Sequence, residues 1–228
     1  MAQLRGTDLK RLHRSWRRRK THRLALLLES VQSPFNVGSI VRTAAAFGVQ
    51  DLYLVGSAPV RSPNAQKTAM GTDRYLSCRD YENVAAAVAA ARATGYRVIG
   101  LELADEATPL HELDLDRDIC IALGHEDRGL SASALGLCDA VAYVPQLGKV
   151  GSLNVAVAAA IACYEARRQD WAAMVGPAAA VDPVAEIGPA AAVEPAATAG
   201  PAAAVERAAP VARAAPVEPD AAEQAADG

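Results

Sequence analysis

The chain has 228 residues with 23 Lys or Arg and 26 Asp or Glu, a formal net charge of −3, and 51% hydrophobic residues with only 4% aromatic. That length holds one domain with sequence to spare. We expect no membrane-spanning helix, because the longest apolar run in the body, Val155 to Tyr164, falls far short of the roughly 20 residues one needs, and no secretory signal, because no apolar stretch of signal length precedes Leu24. Cys78, Cys120, Cys138 and Cys163 lack the close spacing of a zinc knuckle or redox pair, so we expect reduced thiols, no metal and a cytoplasmic location.

The net charge conceals a segregated one. Residues 1–23, 24–170 and 171–228 carry nets of +8, −5 and −6, which leave −3 overall. We read 1–23 as a basic N-terminal arm, 24–170 as the domain, and 171–228 as a disordered, acidic, Ala/Pro-rich tail. The tail repeats a degenerate Gly-Pro-Ala-Ala-Ala-Val unit, and proline interrupts it too often for a helix to propagate or a core to form.

In chain order, the arm RGTDLKRLHRSWRRRKTHR is either a solvated face or a contact for nucleic-acid phosphate, with Arg17, Arg18 and Arg19 at its densest point and Trp16 available to stack on a base. Leu24 to Leu28 predicts a buried strand, and Asn36 to Phe47 a helix ended by Gly48. On that helix Asn36, Ser39, Arg42 and Thr43 share a polar arc, opposite Val37, Ile40, Val41 and Ala44. Asp51 to Val55 predicts the next strand. Gly56 to Tyr75 reads as a long loop carrying Arg61, Lys67 and Arg74. A helix from Asn83 to Thr94, a strand from Arg97 to Leu103, an irregular acidic stretch from Asp105 and a strand from Asp118 to Leu123 follow. GHEDRGLS (Gly124 to Ser131) leads to a short helix ending at Leu137. A strand over Val141 to Val144 then runs through a loop holding Gly148 and Gly151 into a long Ala-rich helix, with Ser152 and Asn154 as N-cap candidates.

Short alternating strands and helices predict an α/β fold, a mostly parallel sheet with helices on both faces. In such sheets ligands bind beyond the carboxyl ends of the strands. Three strand-to-helix turns qualify: SPFNVGSIVR, GHEDRGLS and PQLGKVGSLN. None is a dinucleotide fingerprint or a Walker phosphate loop.

Together, NVGSIVRTAAAFGV (Asn36 to Val49), IALGHEDRGLS (Ile121 to Ser131) followed by Cys138-Asp139, and VPQLGKVGSLNVAVAAAI (Val144 to Ile161) resemble, in order and spacing, the three motifs of the SpoU (TrmH) branch of the SPOUT RNA 2′-O-ribose methyltransferases. The resemblance covers about residues 24 to 168. It implies a C-terminal deep trefoil knot, an exception to the usual absence of knots. It also implies a homodimer whose active site draws on both subunits, and S-adenosyl-L-methionine (AdoMet) as cofactor. Carried over position by position, Leu101, Gly124, Val144 and Leu153 would line the cofactor pocket, while Asn36, Arg42, Glu126, Ser152 and Asn154 would be the polar residues of the active site. Arg42 is the matched catalytic residue. Since guanidinium is a poor base, it would hold the RNA phosphate and stabilise alkoxide charge, with Asn36 orienting it. Glu126 would hold the second motif's turn together, or form a surface salt bridge. His125 matches no catalytic position and reads as a turn residue. Asp127-Arg128, Gln146 and Lys149 depart from many relatives, which would tune substrate choice.

The implied activity is methylation of RNA, with tRNA at a guanosine-18-type site favoured because KTAMGTDRYL (Lys67 to Leu76) is similar to that branch. Lys67 and Arg74 join the arm as RNA-contact candidates. The alternatives are an rRNA or tRNA anticodon-loop 2′-O-methyltransferase, a catalytically silent RNA-binding relative and, with less support, a base-nitrogen methyltransferase.

Overall fold

The structure, a computed structural model, describes residues 3–174. Seven strands, β1 (Leu24–Glu29), β2 (Asp51–Val55), β3 (Ser77–Tyr81), β4 (Arg97–Leu101), β5 (Thr108–Pro109), β6 (Ile119–Leu123) and β7 (Ala140–Tyr143), form one sheet in the order β3-β2-β1-β6-β4-β7-β5. Every pairing is parallel. Six helices accompany it: α1 (Gly6–Arg18), α2 (Pro34–Ala46), α3 (Pro63–Ala69), α4 (Val84–Ala93), α5 (Ala132–Leu137) and α6 (Val155–Met174).

Strand side chains alternate between two apolar layers, as the two-residue period requires. Leu24, Leu26 and Leu28 of β1 face Ile40 and Val41 of α2 and Ala159 and Ala162 of α6. Ala25 and Leu27 face Ala87, Val88 and Ala91 of α4 and Ala134 of α5. Each buried leucine removes apolar surface worth roughly 1.5–3 kcal/mol. The apolar arc read from the α2 sequence is the buried one: Val37, Ile40, Val41 and Ala44 are fully buried. The predicted α/β architecture, with a parallel sheet and helices on both faces, is therefore the observed one.

The differences have physical reasons. The long loop contains α3, started by Pro63 behind Ser62 and ended by Met70 at φ 53°. Its Ala65 carbonyl oxygen lies only 2.4 Å from where a side-chain carbon on Gly38 would sit, so glycine there sets how closely α2 and α3 approach. β3 lies at the sheet's edge and its residues are half-buried or exposed; SCRDY offers no apolar alternation because an edge strand needs little. The basic arm is mostly the helix α1, with no buried residue. Trp171, assigned above to the tail, belongs to α6 and packs its ring 4.9 Å from that of Trp16. The rest of the expected tail, from 175 on, lies outside the described residues. Among the described residues no helix is long and apolar enough to cross a membrane.

Candidate active site

Because β6 lies between β1 and β4, and β7 beside β4, the loops after these strands converge at one end of the sheet. They enclose a cavity of about 520 Å³ whose lining includes Leu101, Gly124, Glu126, Val144, Ser152 and Leu153. All four residues matched to the cofactor pocket, and two of those matched to the active site, therefore meet in one place.

Glu126 does more than brace its own turn. Its carboxylate accepts hydrogen bonds from the backbone N–H groups of Gln32 (3.0 Å) and Ser33 (2.9 Å) and from Nδ2 of Asn36 (3.0 Å). It thus ties the second motif to the opening of α2, where free N–H groups favour an anion. Burial pushes its pKa up, but the bonds from Asn36, Ser33 and Gln32 outweigh burial and hold the pKa down at about 2. Asn36 continues the chain, since its Oδ1 accepts from Nδ2 of Asn154 at 3.0 Å. Asn154 caps α6, its Oδ1 accepting from the N–H groups of Ala156 (2.9 Å) and Val157 (3.3 Å). Ser33 caps α2 in the same manner, accepting from Asn36 N–H at 3.4 Å. The three motifs are thus one hydrogen-bonded unit in which the amides of Asn36 and Asn154 are both oriented.

Gly124 has a structural requirement of its own. A side-chain carbon there would lie 2.1 Å from the carbonyl carbon of Gly129 and 2.2 Å from the Leu130 nitrogen. The turn closes on itself through His125 and Gly129, which exchange backbone hydrogen bonds of 3.0 and 2.9 Å. His125 is a turn residue, its Nδ1 accepting from Asp127 N–H at 3.0 Å. Asp139 braces β4, accepting from Val98 N–H at 2.7 Å and from Arg92 at 2.6 Å.

Arg42 is not brought to this cavity. It is exposed on α2, and among the described residues it has no hydrogen-bond or ion-pair partner. It lies six residues beyond Asn36, roughly 9 Å along the axis. Arg17, Arg18, Lys67 and Arg74 are also exposed, away from the cavity lining, and Arg19 lies over the Trp16 ring at 4.5 Å.

Two lining residues were missed as site residues. Glu102 accepts from Leu130 N–H at 2.9 Å and Leu103 N–H at 3.1 Å, and its carboxylate would lie 2.1 Å from a side chain on Gly129, which adopts φ 66°. A single Glu after an apolar strand carries no motif. Gln146, noted only as a departure, lines the cavity with its Oε1 buried and, among the described residues, without a partner. That acceptor awaits an N–H or O–H. Apolar walls from Leu101, Val144 and Leu153, the orphaned Gln146 acceptor and the carboxylates of Glu102, Glu126 and Asp127 fit a flat heterocycle joined to a positively charged group, as AdoMet is.

A family model described as the SpoU rRNA Methylase family matches residues 23–164. A tRNA (guanosine(18)-2′-O)-methyltransferase from Escherichia coli (strain K12) is 35% identical over 146 residues, 64% of this chain and 63% of the relative. A 23S rRNA (guanosine-2′-O-)-methyltransferase RlmB from Acinetobacter baylyi is 35% identical over 148 residues, 64% of this chain and 60% of the relative. Among solved structures, the SpoU methyltransferase AviRb from Streptomyces viridochromogenes superposes with a TM-score of 0.61 at 28% identity over 75% of this chain and 66% of that one. An AdoMet-bound rRNA methyltransferase from Sinorhizobium meliloti gives 0.58 at 28% identity over 66% and 59%. The match thus spans somewhat less than two thirds of each of these relatives.

Proposed function

Because the chain belongs to the SpoU rRNA Methylase family, we propose that it transfers a methyl group from AdoMet to a ribose 2′-OH of RNA, with tRNA as substrate and a guanosine-18-type site as target. The observation that carries this reading is the hydrogen-bonded chain from Glu126 through Asn36 to Asn154 beside the cavity. A module that only bound RNA would have no need of it. The tRNA relative and the similarity of Lys67 to Leu76 to the guanosine-18 branch support the substrate; the rRNA relative of equal identity keeps rRNA as the alternative.

When bound, AdoMet supplies a methyl group already activated by its sulfonium. The chain's own task is to align the acceptor hydroxyl and manage its proton. Leu101, Gly124, Val144 and Leu153 shape the cofactor pocket. Glu126 fixes Asn36 and Asn154 at the start of α2 and α6, so that Ser152, Asn154 and Asn36 present a preorganised polar rim. Arg42 holds the RNA phosphate and stabilises negative charge developing on the ribose oxygen, while the hydroxyl proton passes to that phosphate or to a transiently neutral Arg42 guanidinium.

Arg42 serves the cavity of a second copy in a homodimer. Its exposure, its absence from its own cavity lining and the partly exposed apolar stripe of Val157, Ile161 and Tyr164 on α6, 48%, 36% and 50% exposed, support this arrangement. These positions recur at i, i+4 and i+7 and share one helix face. The trefoil knot belongs to the same proposal, supported by a chain that leaves β4, passes to the far edge at β5, returns to β6 and only then inserts β7 between β4 and β5. Free cysteines among the described residues support a reducing, cytoplasmic setting.

The test is incubation of the purified full chain with AdoMet and either tRNA or 23S rRNA transcripts, followed by mass spectrometry of nuclease digests. A single 2′-O-methylguanosine in tRNA is expected. Methylation of rRNA alone moves the substrate, base methylation overturns the reaction, and no methylation of either RNA makes the protein a silent relative.

A further inference from the structure

A second cavity, of about 660 Å³, lies between α1, the end of α2 and the end of α6. Its lining contains Trp16, Trp171, Tyr75, His13, Arg17 and Lys20, with no acidic residue among the described residues. Part of this chemistry is structural: Arg167 donates to the carbonyl oxygens of Phe47 (2.8 Å) and Gly48 (3.2 Å), and Lys20 to that of Gly48 (3.2 Å). Both cations thereby cap the negative end of α2. Helix capping does not account for the rest. His13, Arg17 and Tyr75 are exposed, and Tyr75 leaves 62% of its surface free, with the Arg74 guanidinium 4.8 Å from the centre of its ring.

We infer that this groove is a binding subsite for one unpaired nucleotide of an RNA, with the base against the aromatic side chains and the phosphate on the cationic ones. The inference rests on the RNA reading above but does not depend on methyl transfer. Three observations favour this occupant. The aromatic surface is amphipathic and rigid, and every base presents a face that can stack on it. The groove has surplus positive charge: Arg167 is paired with Asp170 at 2.6 Å, whereas among the described residues Arg17 donates only to a carbonyl of its own helix, His13, at 3.3 Å. Burial, and then the neighbouring Arg167, lower the pKa of Lys20, so an anion in the groove would relieve an existing cost. A base inside a duplex presents no free face, which restricts the ligand to unpaired positions.

The chain's two tryptophans, Trp16 and Trp171, both line this groove, so tryptophan fluorescence reports on it alone. The full chain is titrated, without AdoMet, with a short single-stranded RNA oligonucleotide, with inorganic polyphosphate and with poly-glutamate. Saturable quenching by the oligonucleotide is expected, with affinity roughly tenfold weaker in Tyr75→Ala and severalfold weaker in Arg17→Gln. Both positions are exposed, so the variants should fold; circular dichroism checks this. Equal quenching by polyphosphate would show contact with charge alone, and equal quenching by poly-glutamate a peptide site. Either result, or unchanged oligonucleotide affinity in both folded variants, overturns the subsite. Quenching with no methyl transfer by the same preparation overturns the proposed enzyme and leaves the subsite standing; methyl transfer without quenching does the reverse.

Discussion

The two cavities lie at opposite ends of the α2 and α6 pair and are built on opposite plans. The first gathers the helix beginnings, with Asn36 and Asn154 joined across 118 residues of sequence, and is lined by Glu102, Glu126 and Asp127 against a single Arg128. The second gathers the helix ends, where carbonyl groups are in surplus, and is lined by cations and aromatics without an acid. Each helix thus offers donors at one end and acceptors at the other, and α2 has recruited complementary charge at both, Glu126 at its start and Arg167 and Lys20 at its end. The first cavity suits a positively charged small molecule and the second a polyanion.

The largest effect that sharpens this contrast concerns Arg42, which belongs to neither cavity. Arg42→Ala should lower single-turnover methyl transfer about 10²–10³-fold, the loss typical of one stabilising donor, with AdoMet affinity by calorimetry nearly unchanged. Mixing Arg42→Ala with Leu153→Trp subunits, at AdoMet too dilute to fill the Leu153→Trp pocket, should restore activity if Arg42 acts on the partner's cavity; no restoration would assign it to its own. Next, replacing Arg17, Arg18 and Arg19 together by Gln should flatten the slope of log affinity against log salt by up to about three, near one for each lost phosphate contact. Turnover at saturating RNA should persist. An unchanged slope would return α1 to being a solvated helix.

Glu126 comes next. Glu126→Ala leaves two N–H groups and an amide without their acceptor and should cost roughly 1–3 kcal/mol of stability, read from denaturant melts. Its depressed pKa of about 2 lies below the ordinary carboxylate value, so its contribution is complete above about pH 4.5 and is lost as pH falls toward 2. Below that window wild type and Glu126→Ala should converge; a constant difference would show that the charge is immaterial. The smallest effect is expected at the apolar wall: Leu153→Trp should weaken AdoMet about tenfold through overpacking while leaving RNA affinity unaltered. Gly124→Val cannot serve this purpose, because its side chain would meet the Gly129 and Leu130 backbone and so test folding instead of the cofactor pocket.

The first cavity was readable in the sequence because its parts sit in contiguous turns that follow strands, each with its own glycine and cap residue. Leu101, Gly124, Val144 and Leu153 were matched to one pocket through the family resemblance, position by position. Glu102 was not readable, since its partner Leu130 is 28 residues away and its side chain is used by backbone N–H groups that no motif marks. The second cavity was legible only as charge and a tryptophan. His13, Tyr75 and Trp171 come from three distant segments, and the end of α6 was hidden by the tail composition that begins within it. β3 escaped for a different reason: an edge strand with exposed charges has no apolar signature.

The link between Asn36 and Asn154 also has a temporal meaning. During synthesis β1, α2 and β2 can pair as soon as they emerge, but the partner that completes the Glu126 and Asn36 unit arrives 118 residues after Asn36, and β7 must first find its place inside the sheet. Such long-range pairing is slow compared with local helix formation. A nascent chain therefore carries the basic sequence of α1 well before the hydrogen-bonded unit of the three motifs is complete. On the proposed reading, RNA contact and chemistry would become available in that order, and the appearance of cofactor binding would mark the docking of the last helix.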